Sequence, residues 1–215
     1  MAVKISPSLL AADFINLKDE LKRLEENKAD MLHFDIMDGT FVPNISFANP
    51  ILKQVKANTN IPLDVHLMID RPHRYIEEFA KSASYLGFHY EAGSDVAATL
   101  KQIKDCGCKS CLTIKPCTKA EDIFPFLPLC DMVLVMSVEP GFGGQSFMPE
   151  SLDKVKALRK EIDQNGYNCL IEIDGGINGE TAPLAISAGV DVLVAGSYLF
   201  GDKMGERMTY LKYPK

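Results

Sequence analysis

Eight short β-branched or apolar runs recur along the chain, separated by longer stretches of helical period, and this alternation constrains the fold more than any other feature. The runs are Val3–Ser8, Met31–Ile36, Leu63–Met68, Leu86–Tyr90, Ser110–Lys115, Met132–Val138, Cys169–Asp174 and Val190–Ala195. Between them, apolar residues spaced by three or four mark helices: Leu17-Leu21-Leu24, Ile51-Leu52-Val55, Ile76-Phe79-Ala80-Ala83, Val96-Leu100-Ile103, Leu152-Val155-Leu158-Ile162 and Ala182-Leu184-Ala185-Ala188. Such segments are crossovers between parallel strands. Eight units in 215 residues leave about 27 residues each, near the short end for a closed (β/α)8 barrel, which runs upward from roughly 200 residues. An open doubly wound sheet uses the same units. The barrel is favoured because the count closes at eight and polar residues collect at the ends of several strands, where a barrel places its active site. No low-complexity tract or linker interrupts the pattern, so residues 1–215 read as one catalytic (β/α)8 domain.

Charge excludes one class of partner. With 23 Lys+Arg against 29 Asp+Glu the net charge is −6, and no basic block offers the counterion-releasing face that nucleic-acid binding needs. An anionic substrate must therefore be met locally. No apolar run approaches the about 18 residues of a membrane span, and Leu9–Ala12 is too short for a signal-peptide core, so the expected location is the cytoplasm. Six cysteines between Cys106 and Cys169 fit reduced thiols there. Cys106-Gly-Cys108-Lys-Ser-Cys111 contains a C-x-x-C, with Cys117 following, but a zinc knuckle needs a second close pair and Cys111 falls inside a strand. Buried thiols are expected instead.

Period-two alternation places His33, Asp35 and Met37 on one face of the second strand. The third strand ends Asp64-Val-His66-Leu-Met68 and the seventh Ile171-Glu-Ile173-Asp174-Gly-Gly176. A lone strand His is usually a satisfied core group, and an Asp at a strand end often caps the next helix. If all three strands point into the barrel mouth, however, His33, His66, Asp35 and Asp174 converge as a site for Zn²⁺, Fe²⁺, Mn²⁺ or Co²⁺. His73 and His89 lack comparable company, although His89-Tyr-Glu91 ends the fourth strand and could support the site from behind. Glycines follow the sixth, seventh and eighth strands: Gly141-Phe142-Gly143-Gly144, Gly175-Gly176 and Gly196-Ser197. Loops after strands seven and eight are common phosphate sites, bound through backbone N–H groups without cationic side chains.

Together these segments resemble the ribulose-phosphate 3-epimerase family. The likeness is carried by Ser6-Pro-Ser-Leu-Leu-Ala-Ala-Asp-Phe14, His33-Phe-Asp-Ile-Met-Asp-Gly-Thr-Phe-Val-Pro-Asn44, Asp64-Val-His-Leu-Met68, Phe88-His-Tyr-Glu-Ala92, Met136-Ser-Val-Glu-Pro-Gly-Phe-Gly-Gly-Gln145, Asp174-Gly-Gly-Ile177 and Ala195-Gly-Ser197. The resemblance implies a (β/α)8 barrel holding one divalent metal, Zn²⁺ or Fe²⁺ foremost and Mn²⁺ or Co²⁺ otherwise, on His33, Asp35, His66 and Asp174. It implies interconversion of D-ribulose 5-phosphate and D-xylulose 5-phosphate with Asp35 and Asp174 as the acid/base pair. Ser8, His66, Gly141, Phe142, Gly143, Gly144, Asp174, Gly175, Gly176, Gly196 and Ser197 would contact substrate, and the family forms homo-oligomers, dimers or hexamers. Met37, Met68 and Met136 either cap the substrate plane or pack as core. The chain departs from the family at Lys115-Pro116, where Asn-Pro is usual, and its tail after Phe200 matches weakly.

The chemistry agrees. Epimerising a carbon beside a carbonyl removes its proton on one face and returns one on the other, which calls for two acid/base groups flanking the substrate plane. The resulting enediolate needs stabilising, which a Lewis-acid metal supplies. Three rivals are set against this. An epimerase for D-allulose 6-phosphate would share the machinery, and a non-catalytic sugar-phosphate-binding barrel would keep the glycine loops without needing both aspartates. The metal-free phosphate-sugar decarboxylases use D-x-K-x-x-D, whereas Asp35-Ile-Met37-Asp38 has no lysine at that place.

Overall fold

The computed structural model describes residues 3–214; Met1, Ala2 and Lys215, the ends of the expected 1–215 domain, lie outside the described residues. Each of the eight apolar runs overlaps a strand: β1 Lys4–Pro7, β2 Leu32–Met37, β3 Leu63–Met68, β4 Tyr85–His89, β5 Lys109–Ile114, β6 Met132–Met136, β7 Leu170–Asp174 and β8 Val192–Ala195. The helices are α1 Leu17–Glu26, α2 Asn49–Asn58, α3 Ile76–Ala80, α4 Val96–Asp105, α5 Ser151–Asn165, α6 Thr181–Ala188 and α7 Met204–Lys212. The strands lie in the order β1-β8-β7-β6-β5-β4-β3-β2, every pairing parallel. A parallel bridge between Ser8 and His33 joins the two ends of that order. The sheet thus closes as a (β/α)8 barrel.

Alternation along each strand sorts side chains into two cores. Leu32, Phe34 and Ile36 of β2 and Leu63, Val65 and Leu67 of β3 face outward, where Leu21 and Leu24 of α1 and Leu52 and Val55 of α2 belong to the same cluster. The opposite parity faces inward: Tyr85, Cys111, Met132, Leu134, Met136 and Val192 fill part of the barrel. Burial on both faces is why the strands read as near-continuous apolar runs.

The two longest helical pieces without a counterpart among the expected segments are Ala120–Leu129 and α7. Residues Ala120–Leu129 cross from β5 to β6 as 3-10 turns, because Pro125 and Pro128 remove the amide hydrogens an α-helix needs. Helix α7 buries Met204, Met208 and Leu211 at helical spacing. The C-x-x-C cysteines behave as buried thiols: Cys108 Sγ donates to the carbonyls of Ala80 and Ala83, each at 3.3 Å, and burial pushes both Cys108 and Cys111 upward. All six cysteines are free.

Helix α4 shows how tightly the outer layer is held. Asp95 caps it by accepting from the Ala98 N–H at 2.8 Å, and Leu100 and Ile103 are fully buried. Leu100→Ala is expected to lower unfolding free energy by about 2–5 kcal/mol through lost burial and the cavity left behind. Urea denaturation checks this; a loss below about 1 kcal/mol would show that the layer collapses around the gap.

Candidate active site

Register assembles the polar cluster. In the β2–β3 ladder His33 stands beside Asp64, Asp35 beside His66, and Met37 beside Met68. All six residues share the inward parity, and Asp174 joins them from the end of β7. One ligand atom from each of His33, Asp35, His66 and Asp174 lies within 4.8 Å of the others. Ser8, at the barrel's closing bridge, donates its hydroxyl to Asp35 Oδ2 at 2.8 Å.

Hydrogen bonds behind the imidazoles assign their tautomers. His33 Nδ1 faces Asp64 Oδ2 at 2.6 Å and donates to it. Its Nε2 is buried without a hydrogen-bond partner, 3.2 Å from Asp35 Oδ1 and 3.8 Å from Asp174 Oδ2. His66 Nε2 lies 2.9 Å from His89 Nε2, so one of these nitrogens must carry the hydrogen. His89 Nδ1 is 3.3 Å from Glu91 Oε2 and donates there, which leaves His89 Nε2 to accept from His66. The lone pair of His66 Nδ1 then points at Asp35 Oδ1, 3.1 Å away. A lone pair facing a carboxylate oxygen is repulsive unless a cation lies between, so the donor set fits a divalent metal.

Charges in the cluster follow the same logic. Burial pushes the Asp174 carboxyl up to about 7, with His33 opposing and Asp35 and Asp64 adding to the rise. Burial would also raise Asp35, but His33 and His66 outweigh it and hold that carboxyl well below the usual range. Burial likewise opposes protonation of His33, yet Asp35 and Asp64 raise it well above an ordinary imidazole. Burial lowers His66, and takes His89 down to about 4 against the opposing pull of Glu91. Glu172, on the same face of β7 as Asp174, is fully buried with neither carboxyl oxygen hydrogen-bonded, and burial next to Asp64 pushes it well above the carboxylate range. A neutral acid there costs far less than a carboxylate.

Above the cluster opens a cavity of about 750 Å³. Ser8, Asp35, Asp174, the Gly141–Gly144 segment with Phe142, Gly175, Gly176, Gly196 and Ser197 all line it, as do Met37, Met68 and Met136. Met37 and Met68 pack together with Val42, while Met136 belongs to the inner barrel cluster. His33 and His66 are buried and are not among the lining residues. The glycines after β7 are structurally required. Gly175 and Gly176 have φ of +125° and +63°, and a Cβ on Gly176 would stand 2.5 Å from the Phe147 amide nitrogen.

The comparisons with known proteins point one way. The model of the ribulose-phosphate 3 epimerase family matches residues 4–200. The chain belongs to this family. It is 48% identical over 198 residues to the ribulose-phosphate 3-epimerase of Mycobacterium tuberculosis strain H37Rv, covering 92% of this chain and 86% of that one. With the Bacillus subtilis strain 168 ribulose-phosphate 3-epimerase it shares 46% over 201 residues, 93% of each chain. Solved structures of 3-hexulose-6-phosphate synthase (TM-score 0.67, 15% identity, 99% and 98% covered) and Pyrococcus horikoshii orotidine 5'-phosphate decarboxylase (0.66, 13%, 97% of each) show the fold alone.

Within this epimerase-family barrel, two residues acquire definite neighbours. His89 is not isolated: it touches His66 and, through Glu91, is tied to the Lys115 amide at 3.0 Å and to the Thr118 hydroxyl. Lys115, where the family usually carries Asn, does not line the cavity. Its Nζ lies 3.9 Å from the centre of the Phe41 ring, which packs on His89 at 4.7 Å. Asp64 and Glu172 share the inward parity of His66 and Asp174 and join the cluster beneath them.

Proposed function

We propose that residues 1–215 act as one catalytic barrel that interconverts D-ribulose 5-phosphate and D-xylulose 5-phosphate by moving protons at C3. The observation that carries this reading is the meeting of Asp35 and Asp174, from strands on different sides of the closing bridge, at one point on the floor of a ketose-sized cavity. Asp35 takes the proton on one side of the substrate plane and Asp174 returns one on the other. Their opposite environments, one carboxyl held low and the other raised, suit a base paired with an acid.

His33, Asp35, His66 and Asp174 would hold one divalent ion, Zn²⁺ or Fe²⁺ before Mn²⁺ or Co²⁺. When bound, it supplies Lewis-acid stabilisation of the negative charge that develops on the substrate oxygens. Asp64 and His89 fix the two imidazoles, so that His33 Nε2 and His66 Nδ1 would be free to ligate. Ser8 orients Asp35, and Met37, Met68 and Met136 exclude water over the reacting carbon. The phosphate rests on the glycine segments after β6, β7 and β8. Ile15 and Ile45, 93% and 75% exposed near the Phe14–Phe47 pair, support a homo-oligomer, dimer or hexamer. No described helix is long and apolar enough to cross a membrane. Six free thiols support a reducing compartment, the cytoplasm.

A coupled assay comparing ribulose 5-phosphate with allulose 6-phosphate tests the substrate, and higher kcat/KM for the pentulose is expected. Preference for the hexulose would transfer the assignment to the related epimerase, and no turnover of either would leave a binding protein. Free ribulose is expected to lose most of the kcat/KM, because remote phosphate binding energy no longer positions C3. Equal efficiency with and without the phosphate would remove the glycine segments from the substrate site.

A further inference from the structure

The cavity contains one basic side chain that the glycine segments leave out of account. Asp35, Glu139, Asp174 and Arg207 are the lining residues that carry charge, so Arg207 is the only Lys or Arg among them. It sits on α7, past residue 200 where the family match ends. Its Nη1 donates to the Tyr198 carbonyl at 2.6 Å and to the Phe200 carbonyl at 3.5 Å, and its guanidinium carbon lies 5.1 Å from the centre of the Tyr198 ring. These contacts hold the guanidinium against the segment that follows β8. Both hydrogen bonds go to neutral oxygens, so neither neutralises its charge, and the donors on Nη2 and Nε are not used by them.

The same cavity is lined by Gly176, Ile177, Asn178, Ser197 and Tyr198, the last of which Arg207 contacts directly. The N–H groups of Gly176, Ile177, Ser197 and Tyr198 have no backbone acceptor among the described residues. Backbone N–H groups alone offer partial charges to a phosphate whose charge is about −1.5 to −2 at neutral pH, on a chain that is itself net negative. A fixed guanidinium adds a full charge and a planar fork of donors suited to phosphate oxygens.

We propose that Arg207 binds the substrate phosphate together with these N–H groups, making it a specificity-determining residue for phosphorylated ketoses. The inference rests on the ketose-phosphate reading of the cavity. It places the cation on α7, in the part of the chain where the family motifs no longer apply.

The test uses the whole metal-loaded protein, Arg207→Gln and Arg207→Lys, with inorganic phosphate as a second probe. Arg207→Gln is expected to raise both the KM for ribulose 5-phosphate and the inhibition constant of inorganic phosphate by about 10- to 100-fold, the loss of one charge-assisted hydrogen bond. Its kcat should move by much less, and the low kcat/KM for free ribulose should fall far less than that for the phosphorylated sugar. Arg207→Lys should recover part of the phosphate affinity by restoring charge without the fork. Unchanged inhibition and unchanged thermal stabilisation by inorganic phosphate in Arg207→Gln would overturn the proposal. So would an equal loss with free ribulose, which marks a purely structural role. If the wild-type protein turned over no ribulose 5-phosphate, the activity reading would fall, while stabilisation by inorganic phosphate would still decide for or against Arg207.

Discussion

Exhaustive chelation is expected to lower turnover by on the order of 10³-fold or more, since a Lewis acid worth about 4 kcal/mol of transition-state stabilisation corresponds to that factor. Adding back a divalent ion should restore it. The same treatment should lower the melting temperature, because an ion that binds only the folded cluster stabilises it by mass action. Proton release sets the pH dependence. Although burial opposes it, Asp35 and Asp64 hold a proton on His33 in the metal-free cluster, and a metal needs the Nε2 lone pair that this proton occupies. His33 is raised above its ordinary value, so its protonated form competes more strongly as pH falls, and metal affinity should rise with pH through the neutral range. Calorimetric titration in buffers of different ionisation enthalpy reads the protons released. Full turnover by a preparation shown by elemental analysis to be metal-free would sink the metal assignment.

Much of this site was legible because strand periodicity is simple. His33, Asp35 and Met37 alternate on β2, and a parallel partner in register brings His66 and Met68 beside Asp35 and Met37, so one local rule assembled most of the cluster. What stayed hidden depends on which atoms face each other across strands. Nothing local in His89-Tyr-Glu91 says that its imidazole meets His66 from the neighbouring strand at 2.9 Å. Glu172 shares the inward parity of Asp174, but parity does not say that a carboxyl stays there neutral; burial beside Asp64 does. The crossover at Ala120–Leu129 escaped because its prolines erase the helical period. Arg207 escaped because α7 follows the last recognisable motif, and its place in the wall of the same cavity as Gly176 and Ser197 is set by the closed barrel rather than by sequence proximity.

The two aspartates should separate in a double experiment on exchange and turnover. Replacing either by Asn removes an acid/base while nearly keeping its shape, and should cost about 10²–10⁴-fold in kcat, the range typical of general acid–base catalysis. The two variants should differ in metal retention. Asp35 accepts from Ser8 through Oδ2 at 2.8 Å and faces the His66 Nδ1 lone pair through Oδ1 at 3.1 Å, so an Asn there keeps the Ser8 bond through its oxygen and donates its NH₂ to that lone pair, engaging the nitrogen a metal needs. Asp174 is more exposed, with a side chain 20% accessible, and its nearest imidazole contact is 3.8 Å. Asp35→Asn should therefore lose more metal, and Asp174→Asn gives the cleaner test. With metal content matched, each variant should still exchange with solvent the C3 hydrogen of the epimer that faces its remaining carboxylate, without converting that epimer to the other. Exchange is read by NMR in deuterated water. The two variants should label opposite epimers, because each retains the base on a different side of the substrate plane. Near-normal epimerisation by both single variants with metal bound would end the two-base mechanism. Exchange of the same epimer by both would place the two carboxylates on one side, leaving inversion at C3 to another group.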